Sequence, residues 1–130
     1  MSHITKLQTQ FNNLEHLKGA VEIVAKNNNM EVFENNTVQD WQGDVQNEQI
    51  AAVGVEHNGI RVAGYIPNED GSYKLESDFY STKLNEKQFN METTQQYTQL
   101  MAEDIFSAQG YQTVGTETLS DGTYRITLSN

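Results

Sequence analysis

Residues 50–80 read IAAVGVEHNGIRVAGYIPNEDGSYKLESDFY, and this stretch decides the fold. Two alternating apolar runs flank His57-Asn58-Gly59, and a third follows Asp70-Gly71. Asn-Gly between alternating runs signals a tight hairpin, because a type I′ turn needs positive φ at both central residues. Asp-Gly signals a second turn of the same kind. The reading is an antiparallel meander with strands near 50–56, 60–66 and 73–80. Val53, Val55, Ile60, Val62 and Ile66 offer one apolar face. On the third strand Tyr73, Leu75, Ser77 and Phe79 oppose Lys74, Glu76, Asp78 and Tyr80, since strand side chains alternate. Ala51, Ala52, Gly54, Ala63 and Gly64 are small, which lets a helix or a neighbouring backbone approach closely. The sole proline, Pro67, stands where a strand should stop.

Outward from this meander, residues 3–11 alternate as a strand. Asn12 with Glu15 resembles a capping box. Leu14, Leu17, Val21 and Val24 then recur at helical spacing, which predicts an amphipathic helix over 13–26 ended by Asn27-Asn28-Asn29. Short strands are expected at Met30–Glu34 and Val38–Trp41, and a loop at Asp44–Gln49. Ser81–Asn90 reads as a polar loop. Thr93 with Gln96 suggests a second capping box opening a helix over 94–109, closed by Gly110. Tyr111–Leu119 and Thr123–Ser129 read as strands around Ser120-Asp121-Gly122. The expectation is one α+β domain over 1–130. Its antiparallel-rich sheet has about six to eight strands, in β-α-β-β, β-meander, α-β-β order, with two helices packed on it.

The bulk numbers narrow the function classes. The chain has 130 residues, no cysteine, 18 acids and 8 lysines or arginines, for a net charge of −10. Without cysteine there is no disulfide, thiolate metal site or cysteine nucleophile. Phosphate-backbone binding relies on lysine and arginine, so no direct nucleic acid is expected, nor an anionic membrane surface. No segment approaches the roughly 18 apolar residues of a membrane span. Met1–Gln10 is polar and unlike a signal peptide. The expected location is therefore cytoplasmic.

Several segments together resemble the conserved hypothetical chloroplast frame thirty-five family, small proteins of red-algal plastids, cyanobacteria, other bacteria and some phages. They are Met1-Ser2-His3-Ile4, Lys6, Asn13-Leu14-Glu15, Leu17-Lys18, Val38-Gln39-Asp40-Trp41-Gln42-Gly43, Tyr73-Lys74-Leu75 with Asp78, Gln96-Tyr97, Gln109-Gly110-Tyr111, Asp121-Gly122 and Arg125-Ile126-Thr127-Leu128. In this chain Asp40 and Trp41 replace a glycine and a tyrosine of the family's pattern. The family's tryptophan after the Asp78 strand is missing, and residues 60–72 look like an added hairpin arm. The resemblance implies a divergent relative, and the departures leave a phage source open. It implies a fold but no catalytic residues, since the family has no established activity.

The residues themselves show no catalytic constellation. His3, His16 and His57 lack the spacing of a helical zinc site. Glu76 and Asp78 share a strand face, where paired carboxylates could do acid–base work, but an open strand face leaves them solvated. No nucleotide-binding glycine loop or nucleophile elbow occurs. No cofactor or metal is expected. Candidate binding residues are Trp41, Tyr80 and Tyr97, because tryptophan and tyrosine are enriched at binding hot spots, and His3 and Asp78, because the resemblance to the family includes them. Core packing is the competing role for each aromatic, above all for Tyr97, on the apolar helix stripe. The reading is a small non-catalytic protein that binds a protein partner or its own copy. Two alternatives stand: an acidic phage-type inhibitor or nucleic-acid mimic, and a small-ligand binder or enzyme with a pocket near Trp41, Asp78 and Tyr97.

Overall fold

The Asn-Gly hairpin forms as its sequence requires. Asn58 and Gly59 have φ of 52° and 81°, and they join strand β3 (Ala51–His57) to β4 (Ile60–Pro67). The next connection, to β5 (Tyr73–Ser77), is wider than the expected two-residue turn: only Gly71 there has positive φ. Asp70 closes it by accepting from the Ser72 N–H at 3.0 Å and the Ser72 hydroxyl at 2.6 Å. These bonds lower the Asp70 pKa. The chain is seen in a computed structural model that describes residues 5–9, 11–45, 47–110, 112–118 and 124–129.

Before the meander come β1 (Thr5–Thr9), α1 (Leu14–Asn27) and β2 (Glu31–Asn36); after it come α2 (Glu86–Ala108), β6 (Gln112–Thr118) and β7 (Tyr124–Ser129). The main sheet is antiparallel throughout and ordered β1-β5-β4-β3-β2. This corrects the view of residues 60–72 as an added arm. β4 is the middle strand, and Val62, Ala63 and Tyr65 are fully buried. The turn at 68–72 has its exposed residues at 69–71. The α+β class and two helices stand, but the main sheet has five strands, fewer than the six to eight expected. β6 and β7 pair with each other alone. Alternation identifies a strand but not its neighbour.

Both helices lie on one face of this sheet. Leu17, Ala20, Val21, Val24 and Ala25 of α1 meet Val53, Val55, Tyr65, Leu75, Phe11, Phe89 and Tyr97 in a single buried cluster. Each fully buried valine, leucine or phenylalanine contributes roughly 1.5–3 kcal/mol by leaving water. Tyr65 lies at its centre, edge-on to Phe11 at 5.3 Å and stacked on Phe89 at 6.0 Å. Its hydroxyl donates to Asn90 Oδ1 at 2.9 Å, and burial drives its pKa far above the ordinary value.

The helix starts differ from expectation. Asn13, not Asn12, caps α1, accepting from the His16 N–H at 3.0 Å. α2 begins at Glu86 with Asn85 as its cap, so residues 86–90 are helix and not loop. Thr93 is buried inside the helix and donates to the Phe89 carbonyl at 2.9 Å. A threonine that bonds back one turn is satisfied within a helix, so its cap-like spacing was misleading.

The opposite face of the sheet is also covered. The expected strand at Val38–Trp41 is absent; residues 37–45 and 47–50 run irregularly, with one bridge between Gln39 and Val45. Val38 joins Phe33, Ala51 and Ile66 in a second buried cluster. Gly54 and Gly64 are register partners beneath it. A Cβ on Gly54 would lie 2.5 Å from Phe33 Cε2, so an aromatic ring occupies the space that small residues open.

Candidate functional site: an aromatic pair on a buried carboxylate

The segment carrying Trp41 is a small hairpin closed on itself. Asp40 Oδ1 accepts from the N–H groups of Gln42 at 3.0 Å and Asp44 at 2.9 Å. The Asp40 N–H donates to the Asp44 carbonyl at 2.8 Å, and Gly43 turns the chain with φ of 90°. Aspartate favours such turns because its short side chain reaches its own backbone two residues on. The Gln39 amide donates to the Gly43 carbonyl at 2.7 Å.

This hairpin is fastened to the start of β4. The Gln39 N–H donates to the Arg61 carbonyl at 2.8 Å, and the Arg61 N–H returns a bond to Gln39 Oε1 at 3.0 Å. The Arg61 guanidinium donates to the Thr37 carbonyl and hydroxyl at 2.5 and 3.0 Å. It also lies 6.0 Å from the centre of the Phe33 ring. Trp41 is left at the hairpin tip.

Asp78 fixes what Trp41 faces. It follows β5, donates its N–H to the Val62 carbonyl at 2.8 Å, and is 3% exposed. Oδ2 accepts from the Trp41 N–H at 3.0 Å, and Oδ1 from the Tyr80 N–H at 3.1 Å. Bonds to a carboxylate are about twice as strong as neutral ones, so one side chain holds two distant segments together. The Trp41 and Tyr80 rings then meet at 5.0 Å and 46°, with 36% and 64% of each residue exposed. Val45, in the same hairpin, is 44% exposed.

Of the candidates, Trp41, Asp78 and Tyr80 are brought together. Tyr97 is placed elsewhere: its hydroxyl accepts from the N–H groups of Asn12 and Asn13 at 3.2 and 3.1 Å and donates to Asn12 Oδ1 at 3.1 Å. Its ring packs on Phe11 at 4.7 Å, so it ties α2 to the start of α1. His3 lies outside the described residues. His16 Nε2 lies 2.5 Å from Asp104 Oδ2, again linking α1 to α2.

The paired carboxylates are not solvated as expected. Glu76 is fully buried and accepts from the Asn47 amide at 2.5 Å, while both Asp78 oxygens hold backbone N–H groups. Trp41 and Asn47, from the irregular segment before β3, bond to them. Sequence reasoning missed Asn47 and Val45, and no local spacing pairs either with the meander. Among the described residues no three His, Cys, Asp or Glu side chains are grouped to hold a metal. A separate open cleft of about 520 Å³ lies between Asn27–Met30, His57 and Ser81–Leu84, lined by none of the candidates. No helix among the described residues is long and apolar enough to cross a membrane.

Residues 23–127 match the family described as Protein of unknown function (DUF1257). The chain belongs to this family. The DUF1257 match contains Trp41, Asp78, Tyr80 and Tyr97, and His3 precedes it. No curated protein and no solved structure matches the chain.

Proposed function

We propose that this DUF1257 protein is a non-catalytic module that binds another protein, as an accessory subunit or with its own copy, through Trp41 and Tyr80. The observation that carries this reading is the exposed ring pair fastened by the buried Asp78 carboxylate. Pre-positioned aromatics lose little side-chain freedom on binding, and tryptophan and tyrosine dominate interface hot spots. The test is affinity capture from the native host with size-exclusion and light scattering, on the wild type and on a W41A/Y80A variant. A partner or dimer lost in the variant supports the reading. A strict monomer with no captured partner, or capture indifferent to the variant, overturns it.

A second reading, an acidic inhibitor or nucleic-acid decoy, draws on charge. Residues 27–60 carry six acids and no lysine or arginine. It predicts a basic partner whose binding collapses with salt. A ligand pocket shared by Trp41, Asp78 and Tyr97 has less support, because the Tyr97 hydroxyl is engaged at the start of α1. The order of the sequence motifs also supports a finer membership, a divergent relative of the conserved hypothetical chloroplast frame thirty-five group, and the departures from that pattern, with the net charge of −10, suit a phage origin.

A further inference from the structure

We infer that the Trp41–Tyr80 pair receives an arginine side chain of the partner, with Asp44 supplying the countercharge. This rests on the protein-binding reading and names the chemistry of what is bound. Three observations on this surface carry it.

The rings come first. They are tilted at 46° with centres 5.0 Å apart, and both are substantially exposed. Such a pair presents π faces, which attract a cation within about 6 Å of a ring centre. The second is charge. Trp41 sits between Asp40 and Asp44 in the hairpin, and the cation packed against this segment, Arg61, is already engaged by the Thr37 carbonyl and hydroxyl. Asp40 Oδ1 is held by two backbone N–H groups, whereas Asp44 is exposed. Asp44 is therefore the more exposed of the two carboxylates that flank Trp41. Lys83 is the cation that follows Tyr80 in the chain, in the next turn.

The third is rigidity. The hairpin is closed by the Asp40 bonds, docked on β4 through Gln39 and Arg61, and joined to Tyr80 through Asp78. A flat, weakly hydrated guanidinium suits this arrangement better than a compact ammonium, since it stacks on a ring while its edge bonds a carboxylate. One of the chain's two arginines, Arg61, shows ring stacking combined with edge bonding: it lies over the Phe33 ring while its N–H groups bond Thr37.

The experiment uses Trp41, the sole tryptophan, as its own reporter. The full chain is titrated with acetyl-(Arg)3-amide and with the matching citrulline peptide, which keeps the planar head and loses the charge. The inference expects a saturable change in tryptophan emission with the arginine peptide, about tenfold weaker or absent with citrulline. It expects about threefold weaker binding in D44N, and further loss at about 1 M salt, where the screening length is about 3 Å. A Y80A variant should bind more weakly than wild type. No saturable response, an equal response to citrulline, or an unchanged D44N each overturns it. Partner capture that depends on Trp41 but is not competed by the arginine peptide overturns this inference and leaves the protein-binding reading standing. Capture indifferent to Trp41, with the peptide still bound, overturns the protein-binding reading instead.

Discussion

Gly54→Ala tests whether the second face of the sheet is closed as described. A methyl placed there would lie 2.2 Å from the Ala63 carbonyl oxygen and 2.5 and 2.6 Å from Phe33 Cε2 and Cζ. The Phe33 ring can yield only by leaving its cluster with Val38, Ala51 and Ile66. The Ala63 oxygen belongs to the middle strand and cannot yield without moving the sheet. Overpacking a core typically costs about 1–3 kcal/mol. Replacing a glycine returns about 0.4–1 kcal/mol by restricting the unfolded chain. With backbone as the obstacle the upper end applies, and the net loss should be about 2 kcal/mol.

Gly64→Ala is the control on the same face. Its methyl would meet Ala51 Cβ at 2.6 Å, Val38 Cγ2 at 3.0 Å and Phe33 Cζ at 3.2 Å, all side chains. It should cost about half as much. Adding Ala51→Gly should recover part of that loss, whereas adding Phe33→Leu to Gly54→Ala should not restore stability. The assay is urea unfolding followed by Trp41 fluorescence and far-ultraviolet circular dichroism. Coincident transitions would license a two-state treatment. If Gly54→Ala stays within about 0.5 kcal/mol of wild type, the surface-substitution range, the close approach of Phe33 and β4 is wrong.

Asp78→Asn keeps an oxygen for one backbone N–H and turns an amide donor toward the other. It should cost about 1–3 kcal/mol in urea unfolding and lower the steady-state fluorescence anisotropy of Trp41. Unchanged anisotropy would refute the clamp. Tyr97→Phe strips the acceptor from the Asn12 and Asn13 N–H groups, so it should destabilise by about 1–2 kcal/mol while leaving Trp41 emission and arginine-peptide binding intact. Tyr65 sets an alkaline limit. Burial raises its folded pKa above the unfolded value of about 10, so its contribution is complete below that pH and is lost as pH rises beyond it. Stability should fall by about 1.4 kcal/mol per unit above pH ~10, and Tyr65→Phe should flatten that slope in denaturation curves.

Much of the architecture was legible because its signals are local. Asn58-Gly59 demanded positive φ at adjacent residues and received it. Leu17, Val21 and Val24 share a helix face at any tertiary arrangement, and they form the buried side of α1. Gly110 closes α2 with φ of 88°. The start of α2 was misread because Thr93 resembles a cap, while the true cap, Asn85, stands in a polar stretch with little apolar periodicity. Trp41 and Tyr80 were singled out by residue type and Asp78 by its place in a family-like motif, without a reason to expect them together.

The chain alone therefore determined the α+β class, the meander and its first turn, the α1 stripe, and the acidity around Trp41. These rest on dihedral preferences, side-chain periodicity and composition, all carried by residues close in sequence. Tertiary structure decided the rest. It made β4 the middle strand, buried Glu76 and Asp78 with bonds to Asn47 and Trp41, sent the Tyr97 hydroxyl to the start of α1, and set Trp41 against Tyr80. Each is a meeting of segments far apart in the chain, and the Trp41–Asp78 bond spans 37 positions. Alternation says that a strand has two faces, but what covers the second face depends on which distant segment can place its hydrogen bonds and apolar groups there.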